Sequence, residues 1–178
     1  VTLKDGSVKE FENELSVLEI AKSISEGLAR AVVAASVNDQ VVGLDYIVKE
    51  DCTLNLFKFD DVEGKDVFRH TSAHMLAQAI KRLFPNAKFA IGPSIENGFY
   101  YDIDLDQRLT MEDLQKIEAE MKKIAKEDLK IERYELSKED ALKWAKENGE
   151  DYKVELIEEL PEGEVISFYK QGDFADLC

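Results

Sequence analysis

His70-Thr71-Ser72-Ala73-His74 opens a helical run reaching to about Phe84, and it holds both histidines of the 178-residue chain. A spacing of four puts the two imidazoles one turn apart on the same side of a helix. Ala73, Leu76, Ala77, Ile80, Leu83 and Phe84 form the apolar stripe. At 3.6 residues per turn the histidines fall at or just beyond the edge of that stripe, beside Lys81. They are expected to border a core and face a cleft.

Working outward from this helix, the upstream sequence reads as a compact α+β unit. Val1-Thr2-Leu3 and Val8 to Phe11 flank Asp5-Gly6, a turn dipeptide, and predict a hairpin. Ser16-Val17-Leu18-Glu19 is a capping box that starts a helix ending near Gly27. Ala31 to Val37, Gln40 to Leu44 and Thr53 to Phe57 are β-branched strand candidates. Two strands, a helix and further strands predict a helix covering one face of a mixed sheet. The polar stretch Asp60 to Asp66, with its glycine, predicts a boundary, giving domains of residues 1–61 and 62–178.

Downstream, Ile91-Gly92-Pro93 predicts a loop with an unusual backbone path, and Asn97-Gly98 feeds an aromatic strand from Phe99 to Ile103. Thr110 to Leu129 is an amphipathic helix with Leu114, Ile117, Met121, Ile124 and Ala125 on one stripe. Ile131 to Leu136 predicts a strand, Ser137 caps a helix reaching Asn148-Gly149, and Tyr152 to Leu160 and Val165 to Tyr169 predict strands. Lys153 then stands among apolar strand residues, where a lysine either guards an edge or aims its charge into a cleft.

Composition narrows the class. With 44% hydrophobic residues the chain can build real cores. Its longest apolar run, Ala31 to Ala35, is far below membrane-spanning length, and no basic, apolar-cored signal segment opens it. Cys52 and Cys178 make no disulfide framework, and a cytoplasmic protein is expected. The net charge of −15 is shared, with 12 acidic against 6 basic residues in 1–62 and 26 against 17 thereafter. A basic face of the kind that holds nucleic acid through its phosphates would have to be local here, so on charge alone the chain is a poor stand-alone nucleic-acid binder.

His-x-x-x-His alone matches two zinc ligands but needs a third. Its plain structural reading is a pair of histidines edging a buried helix. Cys178, two residues after Asp176, is the only soft candidate downstream, and Cys52 reads as a core residue.

Taken together, His70 to Leu76, Ile91-Gly92-Pro93, Asn97 to Asp102, Tyr152-Lys153 and Asp176-Leu177-Cys178 closely resemble, in this order, the editing domain of bacterial threonyl-tRNA synthetase. The upstream unit resembles TGS, the small ubiquitin-like β-grasp domain that precedes it in that family. The His-x-x-x-His element is shared with alanyl-tRNA synthetase editing domains, but the TGS-like unit and Gly98-Phe99-Tyr100-Tyr101-Asp102 favour the threonyl family. The resemblance implies an α+β fold in two domains, β-grasp and then editing, the latter with a mainly antiparallel sheet and packed helices.

It also implies a reaction: hydrolysis of serine wrongly esterified to threonine tRNA. Serine and threonine differ by one methyl group, worth only about 1–3 kcal/mol in a pocket, so a second sieve is needed. By resemblance, His70 and His74 orient water or ribose and shuttle protons, and Lys153 polarises the carbonyl. Asp176 grips the serine ammonium or hydroxyl, Cys178 lines the site, and Tyr101, Gly92 and Pro93 shape the substrate pocket. Zinc on His70, His74 and Cys178 is an open possibility. The family's pattern continues past the cysteine through Gly-Pro-His, so a site complete in outline but impaired in activity is expected. ATP and zinc are expected for the full-length parent, with threonine tRNA as partner, no membrane, and a homodimer formed through other domains. A free-standing deacylase and a non-catalytic interaction module are the alternatives.

Overall fold

The computed structural model describes residues 1–178, which divide into two compact units, Val1–Thr71 and Ser72–Cys178. In the first, β1 (Thr2–Leu3), β2 (Leu15–Ser16), α1 (Val17–Ile24), α2 (Glu26–Ala31), β3 (Val32–Val37), β4 (Gln40–Val42), β5 (Ile47–Val48) and β6 (Thr53–Lys58) follow in order. The principal sheet runs β1-β6-β3-β4, parallel between β1 and β6 and antiparallel elsewhere. Asn38 and Asp39 both take positive φ, the geometry of a two-residue hairpin turn, and so set the β3–β4 register at Val37 opposite Gln40. Val17 and Ile20 of α1 bury against Ala35, Val48, Cys52 and Leu54, the expected helix-on-sheet core with Cys52 inside it.

Three local expectations are corrected. The hairpin arm Val8 to Phe11 shrinks to a single bridge from Thr2 to Val8, flanked by bonds between Val1 and Lys9, after which the chain leaves the sheet. The first helix stops at Ile24 rather than Gly27. Ser25 adopts an extended conformation and its hydroxyl accepts from the Leu28 N–H at 3.0 Å, starting α2 with Gly27 inside it. The acidic stretch after Asp60 is not a loop: α3 spans Val62–Leu83, with Glu63 in its first turn where the helix dipole favours acids. His70 therefore sits about two turns inside this helix. Gly64, the glycine of the boundary stretch, permits close packing, since a Cβ there would lie 1.9 Å from the Lys58 carbonyl oxygen.

In the second unit, β7 (Lys88–Phe89), β8 (Ser94–Ile95), β9 (Gly98–Phe99) and β10 (Ile103–Asp104) precede α4 (Met111–Glu127). Then come β11 (Ile131–Ser137), α5 (Lys138–Glu147), α6 (Asp151–Glu158), β12 (Val165–Gln171) and β13 (Phe174–Leu177). β11, β12 and β13 form an antiparallel sheet, and β7–β10 and β8–β9 are antiparallel pairs. Across the two units the pairing is thus mainly antiparallel, as expected for an α+β protein. The capping box of α4 is formed by Thr110 and Asp113, and Ile117 and Ile124 join Ala77, Ile80 and Phe89 in one core. A second core gathers Ala141, Ala145, Ile157, Ile166 and Phe168.

Two strand expectations fail here. Tyr152 to Leu160 is helix α6, not a strand. The segment shows both alternation (Tyr152, Val154, Leu156) and helical spacing (Lys153, Ile157), and the structure buries the helical set. The aromatic run is strand only at Gly98–Phe99 and again at Ile103–Asp104. Between them the chain is irregular, although Asp102 exchanges backbone bonds with Ala90 and Ile91.

Candidate active site

Asp176 is the centre of the site. Its place on β13, opposite Tyr169 of β12, turns the carboxylate inward, where only 3% of the residue is exposed. A buried charge is costly unless paired and hydrogen-bonded, and four donors surround this one. Oδ1 lies 3.0 Å from Lys153 Nζ and accepts from the Leu177 N–H at 2.8 Å. Oδ2 lies 3.2 Å from His74 Nδ1 and accepts from the Tyr101 hydroxyl.

Each partner comes from a different element: His74 from α3, Tyr101 from the segment between β9 and β10, Lys153 from the first turn of α6. Lys153 is itself buried, and its ammonium has three protons to place. They go to Asp176, to the Ala90 carbonyl at 2.7 Å and to the Tyr101 oxygen at 3.1 Å. Tyr101 accepts from Lys153 and donates to Asp176, so its one proton is fixed in direction. Gly92 secures the ring, for a Cβ at that position would lie 2.2 Å from Tyr101 Cδ2. Pro93 follows in the same loop, half-buried.

The ionisation states follow. For Asp176 burial is the largest influence and pushes the pKa up, yet the His74 hydrogen bond, the charges of Lys153 and His74, and the Tyr101 hydroxyl together hold it below the usual carboxylate value. Tyr101 is raised, first by burial and then by the charge and hydrogen bond of Asp176, so the phenol stays protonated. In the neutral form of His74, the carboxylate beside Nδ1 favours the tautomer protonated there, which leaves the lone pair on Nε2. The tilted ring of Tyr169, with centroids 5.9 Å apart, packs beside that imidazole.

Of the residues singled out by sequence, His74, Tyr101, Lys153 and Asp176 converge, with Gly92 in support. His70 lies one turn earlier on α3, half-buried. Cys178 is exposed, its N–H donating to the Ser167 carbonyl at 2.8 Å. No three His, Cys, Asp or Glu side chains come together as a metal-ligating group, so His70, His74 and Cys178 do not form a zinc site in this arrangement. Sequence reading missed Gln78 and Gln171, both buried and bonded to each other. Gln78 stands one turn beyond His74 at the same spacing of four, which was the available signal. It also missed Glu150, a buried carboxylate three residues before Lys153.

The TGS domain family matches residues 1–58. Over all 178 residues the chain is 78% identical to a threonine-tRNA ligase of Clostridioides difficile and 60% identical to one of Acetivibrio thermocellus. In sequence, the whole chain is similar to the N-terminal region of these threonine-tRNA ligases. It spans 28% of the length of these ligases. The TGS domain is the first unit's β-grasp, and the Asp176 cluster lies in the part of the ligase sequence that follows it. No helix is long and apolar enough to cross a membrane.

Proposed function

We propose that residues 62–178 form the editing domain of a threonine-tRNA ligase and hydrolyse the ester of serine mischarged onto threonine tRNA, with residues 1–61 as the TGS domain. The observation that carries this reading is the buried Asp176 carboxylate holding an imidazole and an ammonium side by side. Ester hydrolysis needs a proton acceptor for the attacking water, stabilisation of the tetrahedral oxyanion and a proton for the leaving ribose hydroxyl. With Nδ1 tied to Asp176, His74 presents Nε2 as the acceptor. Lys153 supplies the positive charge, the substrate carbonyl taking the place of one of its present acceptors. His70, one turn away, serves the ribose.

Because four donors already occupy Asp176, we assign it to holding His74 and Lys153 rather than to gripping the serine ammonium directly. Tyr101, Gly92 and Pro93 form the wall that excludes the extra methyl of threonine. Charging of threonine tRNA with ATP, and any zinc or dimer contact of the parent enzyme, is assigned to sequence outside this chain. The chain's acidity fits that division, since other parts of the protein would hold the tRNA and deliver its 3′ end.

The test is hydrolysis of Ser-tRNA, Thr-tRNA and Ala-tRNA by the 178-residue chain and by the same sequence extended to the length of its relatives. Preferential release of serine by the longer protein supports the proposal. Preference for alanine indicates the alanyl-type specificity instead, and no release of either amino acid indicates an interaction module.

A further inference from the structure

We propose that Glu150, a buried carboxylate paired with the half-buried Lys81, is a positioning residue that sets Lys153 against Asp176; this rests on the editing reading above. Glu150 occupies the N-cap position of α6, where a side chain ordinarily accepts from the helix's own first N–H groups. It makes no such bond. Its carboxylate reaches away instead, Oε1 lying 3.2 Å from Lys81 Nζ of α3 and Oε2 accepting from the Phe89 N–H of β7 at 3.4 Å. Lys81 also donates to the Ala87 carbonyl at 3.0 Å and lies over the Phe89 ring. A helix start that forgoes its own cap to bond two other elements departs from local preference, and such departures gather at functional sites.

The consequence is a fixed register. Glu150 and Lys153 are three residues apart, so they stand on neighbouring positions of the first turn of α6. Anchoring Glu150 to α3 and β7 fixes both the height and the rotation of that turn. Lys153 must satisfy three acceptors at once, Ala90, Tyr101 and Asp176, and Ala90 directly follows β7, the strand Glu150 holds. The charge of Glu150 also contributes to raising the Tyr101 phenol, a sign of how near it stands to the site. Asp151 and Tyr152 make further contacts, to Lys88 and to Asp104, but these are exposed and act in solvent. The Glu150 pair, with its carboxylate buried, is therefore the one that holds the turn.

A misplacement of about 1 Å at a reacting group can cost a hundredfold in rate. Replacing Glu150→Gln should lower the single-turnover rate of Ser-tRNA hydrolysis by about ten- to hundredfold with KM changed less than about twofold. Lys81→Met should act in the same direction, while Lys81→Arg and the exposed Asp151→Asn should stay within about threefold of wild type. The readout a merely stabilising role would not move is the Lys153 ammonium resonance in ¹⁵N-lysine-labelled protein. Held by three acceptors, it should exchange slowly with solvent in the wild type and rapidly in Glu150→Gln. Lys81 is partly exposed, so Lys81→Met carries the test should Glu150→Gln unfold. Folded variants with wild-type rates and an unmoved Lys153 signal would overturn the inference. Absence of hydrolysis by the wild type would strike the editing reading instead, leaving the resonance to decide the role of Glu150.

Discussion

Removing the ammonium from the centre of the site gives the sharpest stability test. In Lys153→Met the aliphatic stem is largely kept, while the Asp176 carboxylate, 4% exposed, loses its only fixed positive neighbour and the Ala90 carbonyl loses its donor. Breaking a buried ion pair from one side costs about 3–5 kcal/mol, because the remaining charge stays desolvated. Here the hydrogen bonds from Tyr101 and Leu177 and the imidazole of His74 at 3.2 Å still support the anion, which points to the lower end of that range. Trp144, the only tryptophan, packs edge-on against Phe168 with centroids 4.9 Å apart, so its fluorescence reports unfolding of the second unit. A urea titration of wild type, Lys153→Met, Asp176→Leu and the double variant measures the pair. The double variant should be more stable than the sum of the single losses predicts, since it leaves no unpaired charge. A loss below about 1 kcal/mol for Lys153→Met would refute the reasoning, for it would place the pair in the class of solvated surface bridges.

Lowering the pH should weaken the second unit through Asp176: its native pKa is depressed, so its contribution is complete above the ordinary value of 3.8 and lost as the pH falls through the native one. Urea midpoints of wild type and Asp176→Asn should therefore converge in acid, and parallel profiles would contradict this. For Tyr101 the sign is reversed. A raised phenol keeps its proton after the unfolded-state tyrosine, of ordinary pKa 10.0, has lost it, so its contribution falls as the pH rises above that value. Ultraviolet titration should count one tyrosine that resists ionisation until unfolding, absent in Tyr101→Phe. Gly92→Ala drives a methyl against the Tyr101 ring and should cost about 1–3 kcal/mol by overpacking, with a matching loss of the Tyr101–Asp176 hydrogen bond seen by NMR.

Local chemistry made much of this fold legible. The capping box at Ser16 and the Ser137 cap rest on contacts within a few residues, and each appears where the sequence puts it. What failed depends on partners distant in sequence. Gly64 reads as part of a boundary, and its packing role shows only with the Lys58 carbonyl beside it. Residues 152–160 satisfy two periodicities, and only the core around Ile157 decides between them. The site shows the same division: motif order singled out His74, Tyr101, Lys153 and Asp176, but the saturation of the Asp176 carboxylate arises from four elements meeting. Glu150 and Gln171 carried no signal, because a charged or amide side chain gives no sequence sign that it is buried.

The central claim is that His74, Lys153 and Asp176 act as one hydrolytic unit, and single-turnover cleavage of Ser-tRNA in a double-mutant cycle tests it most directly. His74→Ala, Lys153→Ala and the double variant are compared in the sequence extended to the length of its relatives, with Trp144 fluorescence of the same variants in the 178-residue chain confirming folding. Residues that act as a unit are strongly non-additive. The prediction is a large loss in each single variant, with the double variant scarcely slower than the worse of the two. Independent, multiplying losses would contradict the account, and wild-type rates in either single variant would remove that residue from it.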